Sequence, residues 1–178
     1  MWIFTLIQSE TRVEVLTIPN IMSNTLPDTP AKPRVNYQTA SPEAVQAMVA
    51  LEGAVRKSGL EASLLELVKM RASQLNGCAF CLDMHSRDAR QHGESERRLY
   101  LLQAWREAPL FTERERAALA WTEAVTLISA NHVPDDVFEQ ARQHFSETEL
   151  VNLTLAVVAI NGWNRFAISF RIPPPANV

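Results

Sequence analysis

Cys78 and Cys81 are the only cysteines of the chain; they stand three residues apart in NGCAFCLDMH, and His85 follows four residues after the second. Two thiols at that spacing hold a metal, form a structural disulfide or do redox chemistry. Asn76-Gly77 interrupts whatever helix precedes them. The spacing therefore predicts a new helix starting just before Cys78, with Cys78, Cys81 and His85 at i, i+3 and i+7 on one face. Thiols in a first helical turn feel unsatisfied N–H groups and the positive end of the dipole, which favour the thiolate. His85, one turn beyond Cys81, is placed to accept its proton or to pass one to a leaving group. That is the apparatus of thiol redox chemistry.

Other readings of the same residues compete with it. A c-type haem attachment needs histidine directly after the second cysteine, and Leu82 stands there. An iron–sulfur cluster usually takes four cysteine ligands, and the chain has two. Zinc is more serious, because Cys78, Cys81 and His85 supply three ligands. The next candidate, His92, lies roughly 10 Å further along a helix, too far for one tetrahedral site with bonds of ~2 Å. Zinc would need a distant ligand or a second subunit. A thioredoxin-type site sits at a strand-to-helix junction, and no such strand is visible. Two inert buried thiols are the plainest structural reading. Local chemistry alone leaves redox dithiol, metal ligands and inert thiols open. His132 in a loop and His144 near a helix end read as structural.

The elements that must position these residues are helical. The chain has 178 residues, 47% of them hydrophobic and 21% charged, enough for one domain with a real core. Its net charge of −3 offers no electrostatic footprint for nucleic acid or anionic lipid. Pro19, Pro27, Pro30, Pro33 and Pro42 rule out a regular helix between residues 19 and 42. Residues 1–40 are expected to be an extended arm, with a short strand in TRVEVLTI, and Met22 is an alternative start. From Ser41 the pattern changes. Ser41-Pro42 opens a helix that Gly59 stops, and LEASLLELVKMRASQLNG forms the next. The cysteine helix runs from about 78 to 92. Ser95 starts one that Pro109 closes. Thr112 with Glu115, and Ser146 with Glu149, make capping boxes ahead of two more, with DDVFEQARQHF between them. The expectation is an all-α bundle of about seven helices over residues 41–178.

Met1 to Ile7 is apolar but lacks a preceding basic region, and Glu10 and Arg12 follow closely, so it is a poor signal peptide and too short to span a bilayer. Leu150 to Ile160 is also short and reads as a buried helix. The expected location is the cytoplasm, where a permanent disulfide is disfavoured and paired cysteines are more often catalytic or metal-binding.

ELVKMRASQLNGCAFCLDMHSRDARQHGE, followed by LFTERERAALAWTEAVTLIS and LVNLTLAVVAINGWNRF, resembles the carboxymuconolactone decarboxylase superfamily, and more closely its AhpD-like alkylhydroperoxidase branch. That branch carries a glutamate twelve residues before a CxxC and a histidine four after it; here these are Glu66, Cys78, Cys81 and His85. The resemblance runs from about Ser41 to Arg171. It implies that Cys81 is the peroxidatic thiol, deprotonated through His85 and Glu66. It implies that Cys78 resolves the sulfenic acid to a disulfide, without metal, haem or other cofactor. The implied partners are a hydroperoxide, a thiol reductant such as a lipoylated or thioredoxin-like protein, and further copies of the chain, as trimers or hexamers; neither nucleic acid nor membrane is among them. The muconolactone-decarboxylating branch does not depend on a CxxC, so the motif argues against that activity.

Two features test the resemblance. Some relatives place a second relay histidine between the cysteines, and this chain has Phe80. In one straight helix over residues 63–90, Glu66 would lie roughly 22 Å from Cys81. The relay therefore demands a sharp reversal at Asn76-Gly77, a dipeptide that permits one. On the last helix, Asn161, Trp163 and Arg165 are either pocket wall or packing and capping.

Overall fold

The computed structural model describes residues 32–175. The TRVEVLTI strand, the alternative start at Met22 and most of the expected arm lie outside the described residues. The helices are α1 (Tyr37–Ala40), α2 (Pro42–Arg56), α3 (Ala62–Asn76), α4 (Ala79–Gln91), α5 (Glu96–Leu101), α6 (Glu113–Thr126), α7 (Ile128–Asn131), α8 (Asp135–Arg142) and α9 (Glu147–Phe170), with a 3-10 turn at Leu102–Ala104. α1 and α7 are single turns of four residues. The other seven make the all-α bundle, with no strand among the described residues.

Both capping boxes form as their sequences demand. The Thr112 and Ser146 hydroxyls accept from the Glu115 and Glu149 N–H groups, and each glutamate side chain returns to the cap N–H. Ser41 precedes Pro42 at the start of α2, but its hydroxyl makes no capping bond. The extended arm was expected through residue 40; instead Asn36 Oδ1 caps one helical turn, α1. The Arg34 N–H donates to the Phe170 carbonyl at 3.0 Å, and the Tyr37 ring packs edge-on against Phe166. The helix expected after Ser95 tightens at Leu102. Leu99, Leu102, Trp105 and Ala108 are all buried, and their three-residue period suits a 3-10 turn, which eclipses i and i+3.

α3 is the centre of the bundle. Leu64 through Met70 are seven consecutive buried residues, so the helix is enclosed on every face, between α4, α6 and α9. Leu64, Leu65 and Val68 meet Val55, Trp121, Leu153 and Val157 in one apolar cluster. Leu67 and Met70 meet Leu99, Leu102, Trp105 and Leu119 in a second. α9, at 24 residues, is long and apolar enough to cross a membrane by length and composition. One face of it is core, with Leu153, Ala156, Val157 and Ile160 at most 1% exposed, while Val151, Val158 and Ile168 on the rest of the helix are exposed.

Glu123 on α6 ties three elements together. It accepts from Arg71 Nε at 2.7 Å and Trp105 Nε1 at 2.8 Å, and also from Arg106. Burial pushes its carboxyl up, but the Trp105, Arg106 and Arg71 donors outweigh that and hold it below the ordinary value. Glu123→Ala leaves Trp105 without its acceptor and Arg71 without a counter-charge, with only Gln74 Oε1 still accepting from it, in a site 14% exposed. The expected cost is about 3 kcal/mol. It is read as a lowered urea midpoint with an unchanged slope.

Candidate active site

The reversal that brings the predicted residues together is built into the end of α3. Gly77 takes a left-handed conformation, φ 69° and ψ 34°, which a residue without Cβ adopts freely. Its N–H donates to the Gln74 carbonyl and the Cys78 N–H to the Ser73 carbonyl, the two bonds of a Schellman motif. The Asn76 side chain then clamps the turn to α9, donating to Asn161 Oδ1 at 3.0 Å and Asn164 Oδ1 at 2.8 Å. Asn164 Nδ2 donates to Ser73 Oγ, and Asn161 Nδ2 to Thr126 Oγ1. No buried side-chain nitrogen or oxygen among the described residues lacks a partner.

The chain leaves this turn as α4. Cys78 is not on the helix but caps it: its backbone is extended and its Sγ accepts the Cys81 N–H at 3.4 Å. Cys81 and His85 lie on the helix, one turn apart. The two sulfurs are joined in a disulfide, each cysteine is 1% exposed, and Ala72, Ile160 and Ala167 pack around them. Cys81 lines a pocket of about 810 Å³, and Cys78 does not.

Glu66 and His85 are nineteen residues apart, and their side chains meet: His85 Nδ1 lies 2.8 Å from Glu66 Oε2. A neutral imidazole that donates Nδ1–H to the carboxylate keeps Nε2 as its basic nitrogen. The other carboxylate oxygen, Oε1, accepts from Lys69 Nζ at 3.2 Å, and the same ammonium donates to Glu52 Oε1 at 2.8 Å. Glu66, Lys69 and His85 are 6%, 5% and 6% exposed. Burial pushes the Glu66 carboxyl up; hydrogen bonding and charge from His85, with Lys69 behind it, overcome that and hold it below the ordinary value.

Glu52, Glu66, Lys69, Cys81 and His85 all line the pocket. Val49, Leu65, Met84 and Trp163 supply apolar wall, and Phe80 occupies the place of the absent second histidine. Trp163 thus faces the pocket, whereas Asn161 and Arg165 serve the clamp, Arg165 donating to Asn161 at 2.8 Å. His92 lines the same pocket, and its Nδ1 bonds to the Asp88 carbonyl. His132 ends α7 in a left-handed conformation, and the His144 carbonyl accepts from Arg114. Of the zinc set, Cys78 and Cys81 are bonded to each other. The ligand atoms that do cluster belong to Glu66, His85 and Asp88, all within 4.8 Å of one another. Lys69 and Glu52 were missed in the sequence; a lysine three residues after Glu66 in an otherwise apolar run was the available signal.

The carboxymuconolactone decarboxylase family profile matches residues 42–124. The uncharacterised protein YdfG of Bacillus subtilis is 43% identical over 136 residues, 76% of this chain and 92% of its own length. A crystal structure of an Agrobacterium tumefaciens protein of unknown function, given as a candidate antioxidant defence protein AhpD, is 51% identical. It covers 82% of this chain and 100% of its own, with a TM-score of 0.80. The debrominase Bmp8 shares the fold, with a TM-score of 0.71 at 19% identity over 78% of this chain and 75% of its own.

Because Glu66 is held below its ordinary value, its contribution to stability is complete above the normal carboxylate range and is lost as pH falls through the depressed value. Glu66→Gln removes that contribution. The gap in urea midpoint between wild type and Glu66→Gln is therefore expected to be largest near neutral pH and to narrow as pH falls below the ordinary carboxylate range.

Proposed function

The chain belongs to the carboxymuconolactone decarboxylase family, in its AhpD-like branch, and on that premise we propose that it is a thiol-dependent peroxidase using Cys81 and Cys78. The observation that carries this reading is the meeting of Cys81, His85 and Glu66 in one pocket, with Cys78 already in bonding distance of Cys81.

In the reduced protein, His85 Nε2 takes the Cys81 proton while Glu66 stabilises the imidazolium. The thiolate attacks the terminal oxygen of the hydroperoxide. An S–O bond forms, the O–O bond breaks, and sulfur gives up two electrons. The departing alkoxide or hydroxide takes the proton from His85 and leaves as alcohol or water. Cys78 then attacks the sulfenic sulfur; the S–S bond forms as the S–O bond breaks, and water departs with the Cys78 proton. A dithiol reductant restores both thiols by exchange, becoming a disulfide itself. Phe80 adds no proton carrier, so activation rests on His85, Glu66 and the start of α4. The apolar walls favour organic hydroperoxides over hydrogen peroxide. The reading includes a cytoplasmic location for this protein, a lipoylated or thioredoxin-like reductant, and a homo-oligomer, trimer or hexamer. Val151 and Val158, two turns apart on one face of α9 and 68% and 50% exposed, are the apolar surface it would cover.

The test is a thiol count on the reduced protein before and after one equivalent of tert-butyl hydroperoxide. Wild type is expected to lose both thiols and gain one intramolecular disulfide. Cys78→Ser is expected to consume one equivalent and stop at the sulfenic acid, and Cys81→Ser to consume none. His85→Gln should slow the reaction about 10²-fold or more. Thiols that persist under peroxide while a dithiol still reduces the disulfide would mark a general dithiol–disulfide oxidoreductase instead. Metal in protein purified without chelator would mark the zinc reading.

A further inference from the structure

Lys69 is the most deeply buried cation that lines the pocket, 5% exposed, and neither Cys81 nor His85 is its partner. A buried ammonium is costly unless paired, and this one is paired twice, to Glu52 from α2 and Glu66 from its own helix. Glu66 is consequently held at both oxygens, Oε1 by Lys69 and Oε2 by His85. We infer that Lys69 is a positioning residue of the proton relay: by holding the second oxygen of Glu66 it keeps that carboxylate ionised and turned to His85, and so sets the pH at which Cys81 becomes a thiolate. The inference rests on the reading of Cys81, His85 and Glu66 as one relay.

Charge counting gives the direction. With His85 neutral, Glu52 and Glu66 carry two negative charges and Lys69 is their one buried positive charge; Arg56 Nε stands 3.8 Å from Glu52 Oε1, but its side chain is 76% exposed and water screens it. Without the ammonium, buried Glu66 and partly buried Glu52 are left as neighbouring carboxylates, and such a pair holds a proton that it would otherwise release. A protonated Glu66 no longer anchors the imidazolium. An ionised one adds uncompensated negative charge beside the forming thiolate. Either way the Cys81 thiolate is disfavoured. The other charged or titratable groups facing this pocket are Tyr37 from α1, Arg56 from α2, and Asp88 and His92 from α4, while α9 contributes Trp163 and Ala167. Asp88 Oδ2 stands 3.9 Å from His85 Nδ1, with its side chain 42% exposed, so water screens it as it does not screen Lys69.

The experiment measures the rate of Cys81 alkylation by iodoacetamide against pH, on the full chain in a Cys78→Ser background so that one thiol remains. Lys69→Met is expected to move the alkylation midpoint up by about one pH unit, making the reaction about tenfold slower near neutral pH. In a Glu66→Gln background the same substitution should add nothing, because the lysine acts through that carboxylate. Lys69→Gln, which keeps a donor and loses the charge, replaces Lys69→Met if circular dichroism shows the latter unfolded. An unchanged pH profile, or equal slowing with and without Glu66, overturns the inference. Alkylation needs no peroxide, so a protein that fails to consume hydroperoxide but shows the shifted profile refutes the peroxidase reading and leaves the role of Lys69 standing.

Discussion

A charged side chain on a helix enclosed on every face must find its counter-charge inside the protein, and α3 carries two such side chains, Glu66 and Lys69. Lys69 reaches Glu66 on its own helix, but the set is completed only by groups from elsewhere: Glu52 from α2 and His85 from α4. α4 must therefore fold back alongside α3, near enough for a 2.8 Å bond between residues nineteen apart in sequence. The left-handed Gly77 and the Asn76 clamp onto α9 make that possible. The site and the core are thus one construction: the pairing that makes burial tolerable is the pairing that gives His85 its anchor.

The same reversal settles the environment of the thiols. It sets the cysteine pair into the apolar cluster of Ala72, Ile160 and Ala167 and leaves Cys81 facing the pocket while Cys78 caps the helix. One cysteine of the pair therefore lines the pocket, and the sulfur of the other sits at the helix start, accepting a backbone N–H. Two thiols that look equivalent in the motif are inequivalent in space. The fold by itself says less about chemistry: a debrominase wears it at 19% identity, which is why the reading of function rests on side chains rather than on topology.

Much of this was legible in the sequence. The capping boxes at Thr112 and Ser146 announce α6 and α9, because a hydroxyl and a glutamate three residues apart satisfy orphan N–H groups locally. The cysteine motif with its histidine announces α4. Other elements were less readable for a common reason. The turn at Leu102–Ala104 replaces a longer helix because Leu99, Leu102, Trp105 and Ala108 all bury at a three-residue period, a tertiary demand that no local propensity records. α1 forms where prolines implied extended chain, since Asn36 caps it and Tyr37 has aromatic partners on α9. Glu66 was reached only by family resemblance, and Lys69 and Glu52 were not reached at all; on a linear chain a glutamate or lysine within a helix looks solvated.

By itself the sequence determined what short-range chemistry decides: the helical class, most helix starts, the dithiol with a histidine one turn away, and a breakable point at Asn76-Gly77. Tertiary structure alone decided which way the chain turned there. With that turn it decided that a glutamate roughly 28 Å away along a straight helix would touch the histidine. It also decided that a lysine and a second carboxylate would be sealed in beside them. The physical reason is burial. Whether a charge is a solvated ornament or part of a coupled ion-paired set depends on the water around it, and that water is removed only when the helices pack.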